Sequence, residues 1–530
     1  MGRLLSNFAI KLYFLALYII IISCDPYQKE NAGLGTISLN VTGDKDAIPH
    51  FEKGLLLLHS FEYADAREEF LKAQEIDPMM TMAYWGESMT YNHPLWREQD
   101  IERGVAALSR LKLAETKNHS TELEKDFIKS VEILYSDQPL KNDRDQSYAD
   151  FLGELIEKYS KNHEVAAFYS LALLGSVPVG RDDIIYEQAA DVAQTILDEN
   201  PKHPGALHYL IHSYDDPDHA HLAKNAADSY ALVAPEASHA LHMPSHIYVA
   251  LGLWDNVVAS NEHSYQASIN RMERKQLDND ARGYHAYHWL EYGYLQQNRI
   301  EEARKMVLDL ERYTQEKPSK RGRSHLVYLK GTFLVETNNW FDPISEIGVD
   351  VTDLNIANRS QYNFLDGMIA YAKEDRQGLK DIIERMKADY ELEALSLVDT
   401  SITVCTSQTR EEAIQSDIDE SEAMAMQLMA LSSYLDNDLE NAEIWFIKSI
   451  EKEENLSYSY GPPFIQKPTH ELYADWLMEN NRFDEALEQY KLTLNRAPNR
   501  VIALKGIESA TALINKTLVM NTRESMNTGI

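Results

Sequence analysis

Two runs of the chain place histidines where they could act together. HPGALHYLIHSYDD carries His208 and His212, and HALHMPSHIYVALGLWDN carries His242 and His246; the runs are offset by one interval, 242 − 208 = 246 − 212 = 34. Side chains at i and i+4 on a helix lie about 5–6 Å apart at Cβ, near enough for two imidazoles to hold one cation. Neutral imidazole suits zinc, copper and iron alike, and Asp215, Asp216 and Glu291 could add ligands or orient the rings. His285 and His288 continue the series, and 11 of the 18 histidines fall between His203 and His288. A second account needs no metal. Tyr209, Tyr248, Tyr284 and Tyr287 offer hydrogen-bond partners, and a satisfied polar network between helices would give the same spacing. Pro244, between His242 and His246, marks a first helical turn and would leave His242 in the entry loop.

The elements that carry these residues recur. Ala66 precedes Pro78 by twelve residues, and the same interval joins Ala189 to Pro201, Ala223 to Pro235 and Ala486 to Pro498. Small residues suit the close approach of two antiparallel helices, Phe70 or Tyr490 fills the gap toward the next pair, and the proline stops the second helix. QNRIEEARKMVLDL (297–310), DNDLENAEIWFIKSI (436–450) and LGLWDNVVASN (251–261) read as further turns and second helices. Long amphipathic stretches at 163–176 and 182–200 fill the space between, and strand signals are almost absent. Breaks fall at Gly180, in the basic stretch 315–323, at 342–353 and near 395–418.

This pattern resembles the tetratricopeptide repeat, a 34-residue helix–turn–helix unit, so an all-α superhelical solenoid is expected. In that family, positions 2, 5, 9, 12 and 13 of each unit face the concave groove. Units starting at Pro204, Ser238 and Tyr284 put His208 and His242 at position 5, His212 and His246 at position 9, His285 at position 2 and His288 at position 5. A last unit puts Glu471 and Asp475 at positions 5 and 9. The segments HSFEY (59–63), AYWG (83–86), HPGALHYLIH, HALHMPSHIY and YGPP (460–463) together resemble a group of bacterial tetratricopeptide proteins, over about Phe51 to Ala510; that resemblance implies the fold but no reaction.

The whole chain sets the frame. Its 530 residues carry 84 acidic against 51 basic side chains, a net charge of −33, which repels phosphate backbones and argues against nucleic acid as a partner. Residues 1–23 read as an export signal ending Ile21-Ile22-Ser23, and Cys24 then resembles the acylated cysteine of a bacterial lipoprotein. With Cys405 as the one other cysteine, disulfides do not hold the fold. Residues 24–46 read as a tether, 47–315 and 316–515 as two blocks of repeats, and 516–530 as a tail. There is no Walker loop, GxSxG, HExxH or CxxC motif.

The leading expectation is a lipid-anchored adaptor of the cell envelope, facing periplasm or exterior, that binds a protein or peptide in its groove. His208, His212, His242, His246, His285, His288, Glu471 and Asp475 would be its contacts. The alternative is a metal-binding protein or metal-dependent enzyme, with zinc, copper or iron on His208, His212, His242, His246 and His288.

Overall fold

The computed structural model describes residues 33–115, 120–178, 180–395, 397, 413–458 and 460–527. The expected signal at 1–23, Cys24 and Cys405 lie outside them. The chain folds as an all-α solenoid of helix–turn–helix pairs in which each helix packs mainly on its sequence neighbours.

The first half comprises α1 (Ile48–His59), α2 (Tyr63–Ile76), α3 (Thr81–Met89), α4 (Ile101–Glu115), α5 (Glu122–Leu134), α6 (Lys141–Lys158), α7 (His163–Ser176), α8 (Asp183–Glu199), α9 (Pro204–Ser213) and α10 (Ala220–Val233). The middle comprises α11 (Ser238–His242), α12 (Pro244–Ala250), α13 (Trp254–Lys275), α14 (Tyr284–Gln296), α15 (Ile300–Glu316) and α16 (Lys320–Thr337). The rest are α17 (Ile356–Ala372), α18 (Arg376–Ala394), α19 (Gln415–Leu435), α20 (Leu439–Glu454), α21 (Thr469–Glu479), α22 (Phe483–Arg496) and α23 (Val501–Asn527). Among the described residues the one sheet is a two-residue bridge, Asn92–His93 against Glu98–Gln99, and no helix is long and apolar enough to cross a membrane.

The repeat residues do what their chemistry requires. Ala66, Ala189, Ala223 and Ala486 have no exposed surface. Helices α2, α8, α10 and α22 each end two residues before the proline of the repeat. The residue between takes ψ of 91°, 83°, 56° and 73° in turn, because a following proline disfavours helix.

Two long-range closures turn the solenoid into a compact body. At the first, α1 meets α9, and residues 33–46 run across the helices rather than serving as tether. Thr36 N donates to Lys202 O (2.9 Å), Thr42 N to Glu124 Oε1 (2.5 Å) and Ser38 N to Glu164 Oε1 (3.3 Å), with Leu34 and Leu39 buried. At the second, the segment before α23 docks on the middle of the chain. Trp254 Nε1 donates to Asn499 O (3.0 Å), and Val501 N donates to Gln296 Oε1 (2.9 Å). Gly252 sits at φ +64°, and a Cβ there would stand 2.4 Å from Pro498 O, so only glycine lets the two segments touch.

The apolar core divides within α13 and α14, not near 315: Val257, Trp289 and Tyr292 belong to the first cluster, Val258, Tyr284 and Tyr287 to the second. The basic stretch 315–323 is a short link into α16, and Tyr313 and Leu326 on either side share one core. The expected tail at 516–530 continues α23 as helix to Asn527.

Candidate metal centre

Helix α9 presents His208 and His212 one turn apart. The His208 Nδ1 donates to the backbone carbonyl of His59 at 2.7 Å. A carbonyl only accepts, so the proton sits on Nδ1 and Nε2 is a lone pair. His212 Nε2 stands 3.1 Å from that atom and His239 Nε2 3.2 Å. As a hydrogen-bond acceptor one in-plane lone pair would be shared between the two neighbours, a weaker arrangement for each, whereas a cation between the three nitrogens engages all of them. Nitrogens bound tetrahedrally at about 2.0–2.1 Å stand about 3.3–3.4 Å apart, close to the spacing seen. Burial, and then the neighbouring imidazoles or the His59 carbonyl, set the protonation of His208, His212 and His239. The net result holds all three far below the usual histidine range, so the rings are neutral.

A second set lies beside it. His246 Nδ1 donates to Asp215 Oδ2 at 2.5 Å, and His242 Nδ1 donates to Asn261 Oδ1 at 2.6 Å. The amide is oriented in turn by its Nδ2, which donates to Val257 O at 2.8 Å. Both rings therefore turn Nε2 inward, and the His242 Nε2 is buried with no hydrogen-bond partner among the described residues. His285 completes the set; in each triad the ligand atoms lie within 4.8 Å of one another. Burial first, then His246, lowers His242 to about 3; burial, then His242, puts His285 well below the usual histidine range. A ring nitrogen fixed by an acceptor on its far side is the usual second shell of a metal-bound histidine.

The helices explain which histidines meet. Each triad takes positions 5 and 9 of one repeat and position 2 of the next: His208, His212, His239, then His242, His246, His285. Helix α11 ends at His242 and α12 restarts at Pro244, as the proline implied, but His242 remains 3% exposed and inside the set. His239 was not expected.

Other residues form the walls. Phe61, at φ +54° after α1, lies 4.3 Å from the His208 ring, 5.6 Å from His239 and 6.1 Å from His212. At the far end Trp289 lies 4.4 Å from His246 and 4.8 Å from His242. Gly461 of the YGPP loop has φ +96°, and a Cβ there would stand 2.1 Å from the indole. His239 and His285 are half-buried, which marks the open side, and Trp96 of the HPLW loop lies 6.2 Å from His239.

A third cluster looks similar in composition and differs in chemistry. Glu164, fully buried, accepts from His59 Nε2 (2.7 Å) and His203 Nε2 (3.2 Å). The remaining nitrogens are taken by the Tyr209 hydroxyl (2.9 Å) and the Ala206 N–H (3.1 Å). Burial alone would raise Glu164, but the His203 and His59 rings outweigh it and hold the carboxyl below its usual range. With every atom paired, this network braces the His59 carbonyl on which His208 leans.

The remaining expected residues are elsewhere. His288 Nε2 pairs with the Thr332 hydroxyl at 2.9 Å and joins neither triad. Glu471 is sealed between Arg500 (2.7 Å) and Lys467 (2.9 Å); burial opposes its ionisation, yet these cations bring it down to about 2. Asp475 pairs with Lys467 at 2.6 Å and accepts from Tyr490 at 2.6 Å. Asp216 pairs with Arg181 and His219, and burial, with Glu336 nearby, raises the Glu291 carboxyl far above its range. Of the three carboxylates first considered, Asp215 alone touches the centre.

No family model matches the sequence, and neither does any curated protein. Among solved structures the chain is similar to a human IFIT1 dimer with m7Gppp-AAAA, at 12% identity over 92% of this chain and 93% of that one, TM-score 0.34. It is similar also to yeast Tom70, at 11% identity over 89% and 90%, TM-score 0.32. The Cut9–Hcn1 hetero-tetramer of APC/C gives 12% identity over 92% and 80%, TM-score 0.35. What the site does follows from its own atoms.

Proposed function

We propose that this chain is a transition-metal-binding solenoid, held at the cell envelope through a lipid on Cys24, in which the two histidine triads are the metal sites. One observation carries the reading: His208, His242 and His246 each have Nδ1 committed to a fixed acceptor, which leaves Nε2 as the atom each ring can offer a metal, within triads whose ligand atoms lie within 4.8 Å of one another. A hydrogen-bonded network leaves two ring nitrogens sharing one lone pair within 3.2 Å, and a bound cation relieves that crowding. Three protein ligands also leave a coordination position open, the arrangement that activates water or dioxygen where a metal site is catalytic.

The burial of the ring set also bears on the adaptor reading. His208, His212, His242, His246 and His288 are at most 7% exposed, and Glu471 is fully buried, so a peptide has little of them to touch. A binding role would fall instead to the cleft of about 570 Å³ lined by Lys53, Glu62, Asp65, Arg271, Arg274 and Lys275. That cleft keeps capture of a charged protein segment as the second reading. Elemental analysis of the full chain after equilibration with zinc, copper and iron tests the first: stoichiometric metal lost in a His208→Ala/His246→Ala variant supports it, and protein without metal under every loading condition overturns it.

A further inference from the structure

Resting on that reading, we infer that the two triads are one centre, which takes a pair of copper ions and is built for the cuprous state. Three observations combine.

The first is contact between the sets. Within the triads, neighbouring rings stand 4.8 and 5.0 Å apart in one and 5.1 and 4.7 Å apart in the other. Across the boundary, His212 meets His246 edge-on at 5.8 Å and His239 lies 6.2 Å from His242. The six imidazoles form a continuous array between Phe61 and Trp289, so two ions held here are neighbours.

The second is the donor set. All six candidate ligands are imidazole nitrogens, with no carboxylate or thiolate in either triad. Magnesium, calcium and manganese select oxygen, and the usual ferrous site with open positions includes a carboxylate. Copper, zinc and nickel remain, and of these copper alone has a common monovalent state.

The third is charge. Imidazole ligands bring no negative charge to an ion, aromatic walls enclose the array, and Asp215, one hydrogen bond behind His246, is the carboxylate that touches it. Two dications in so small a space repel four times as strongly as two monocations, and each costs far more to desolvate. A pair of cuprous ions places half the charge of a zinc pair in the same cage. Imidazole accepts copper readily, and three nitrogens satisfy a cuprous ion without further anions.

The experiment uses the full chain in detergent. Anaerobic titration with cuprous ion against a chromogenic cuprous chelator, alone and with excess zinc, measures number and preference; exposure to air followed by electron paramagnetic resonance measures coupling. Two cuprous ions per chain that zinc does not displace, with a spin signal far below one per copper after oxidation, are expected. An X-ray absorption measurement should then find a metal–metal distance of about 3.5–4 Å, as in other two-metal centres. His239→Ala and His285→Ala alter the half-buried ligands on the open side, so they spare the interior, and each should leave one copper with a full spin signal. Two coppers with two full spins would overturn the pairing, and displacement by zinc would overturn the cuprous preference, each leaving metal binding intact; failure to bind either metal would remove both.

Discussion

Asp215 offers the sharpest separation between a metal centre and a packed histidine network. Its carboxylate is fully buried; Oδ2 accepts from His246 Nδ1 at 2.5 Å, and Oδ1 has no partner among the described residues. In Asp215→Asn the amide oxygen can still accept that proton, so the ring keeps its direction but loses the charge that raises its basicity. Loss of such a second-shell partner weakens metal binding by about 10–100-fold, equivalent to about 1.4–2.7 kcal/mol. The new amide N–H₂ meets no acceptor where Oδ1 stood, which costs the fold about 1–3 kcal/mol. Competition against a graded series of chelators should show the ion at His242, His246 and His285 weakened by that factor, while the ion at His208, His212 and His239 keeps its affinity. Asp216→Asn is the control, because Asp216 pairs with Arg181 and His219 instead of a triad ring. Wild-type affinity in Asp215→Asn, or equal losses in both variants, would refute the assignment of Asp215 as the support of a metal ligand.

Arg500, with no exposed surface, is held by Glu471 and Glu336 where the C-terminal segment docks; Arg500→Met should cost about 3–5 kcal/mol in urea unfolding and expose the 498–501 segment to limited proteolysis. Gly461→Ala should cost about 1–3 kcal/mol for the left-handed backbone alone and push Trp289 off His246, a displacement that tryptophan fluorescence reads together with a weaker second ion. His325, outside the centre, is lowered by burial, and next by Arg321, to about 3. Its unfolded form gains a proton below about pH 6.5 while the folded form does not, so stability falls toward acid by up to about 1.4 kcal/mol per pH unit between those values. Urea midpoints at pH 7 and pH 5 should diverge less in His325→Phe than in wild type.

Much of the helical architecture was legible because its signals are local. The alanine-to-proline interval marks a second helix and its end, and α2, α8, α10 and α22 follow it to the residue. The histidine pairs were legible for the same reason. His239 was within reach: it occupies position 2 of its unit, the position that selected His285 in the next. Residues 37–41 alternate Ile37, Leu39 and Val41, a period that suits an extended strap against a core, but the stretch is too short to outweigh its polar flanks. Phe61, Asn261 and Trp289 carried no such mark. Phe61 is 147 residues from His208 (208 − 61) and reaches it only because α1 closes on α9, a contact set by the superhelix as a whole. Glu471 is no open groove contact because the fold-back of the segment before α23 fills that part of the groove with Arg500; Asp475, paired with Lys467 and Tyr490, stays partly exposed beside it.

The same superhelix explains why the pattern of positions 5, 9 and next 2 produces two triads and stops. A third set after His288 would need imidazoles at Tyr292 and Arg321; instead Tyr292 pairs with Arg500, and the Arg321 guanidinium donates to the Arg282 carbonyl. A set before His208 would need a ligand at Gly205, position 2 of its unit. There a Cβ would stand 2.4 Å from His59 Nδ1, so the space belongs to the His59 ring and its bond to Glu164. That displacement has a use, since the His59 carbonyl fixes the tautomer of His208. The paired centre is therefore bounded at one end by the buried Glu164 network and at the other by the docked C-terminal segment. The closure of α1 on α9 sets the tautomer of His208, which ties the geometry of the first triad to the way the solenoid folds back.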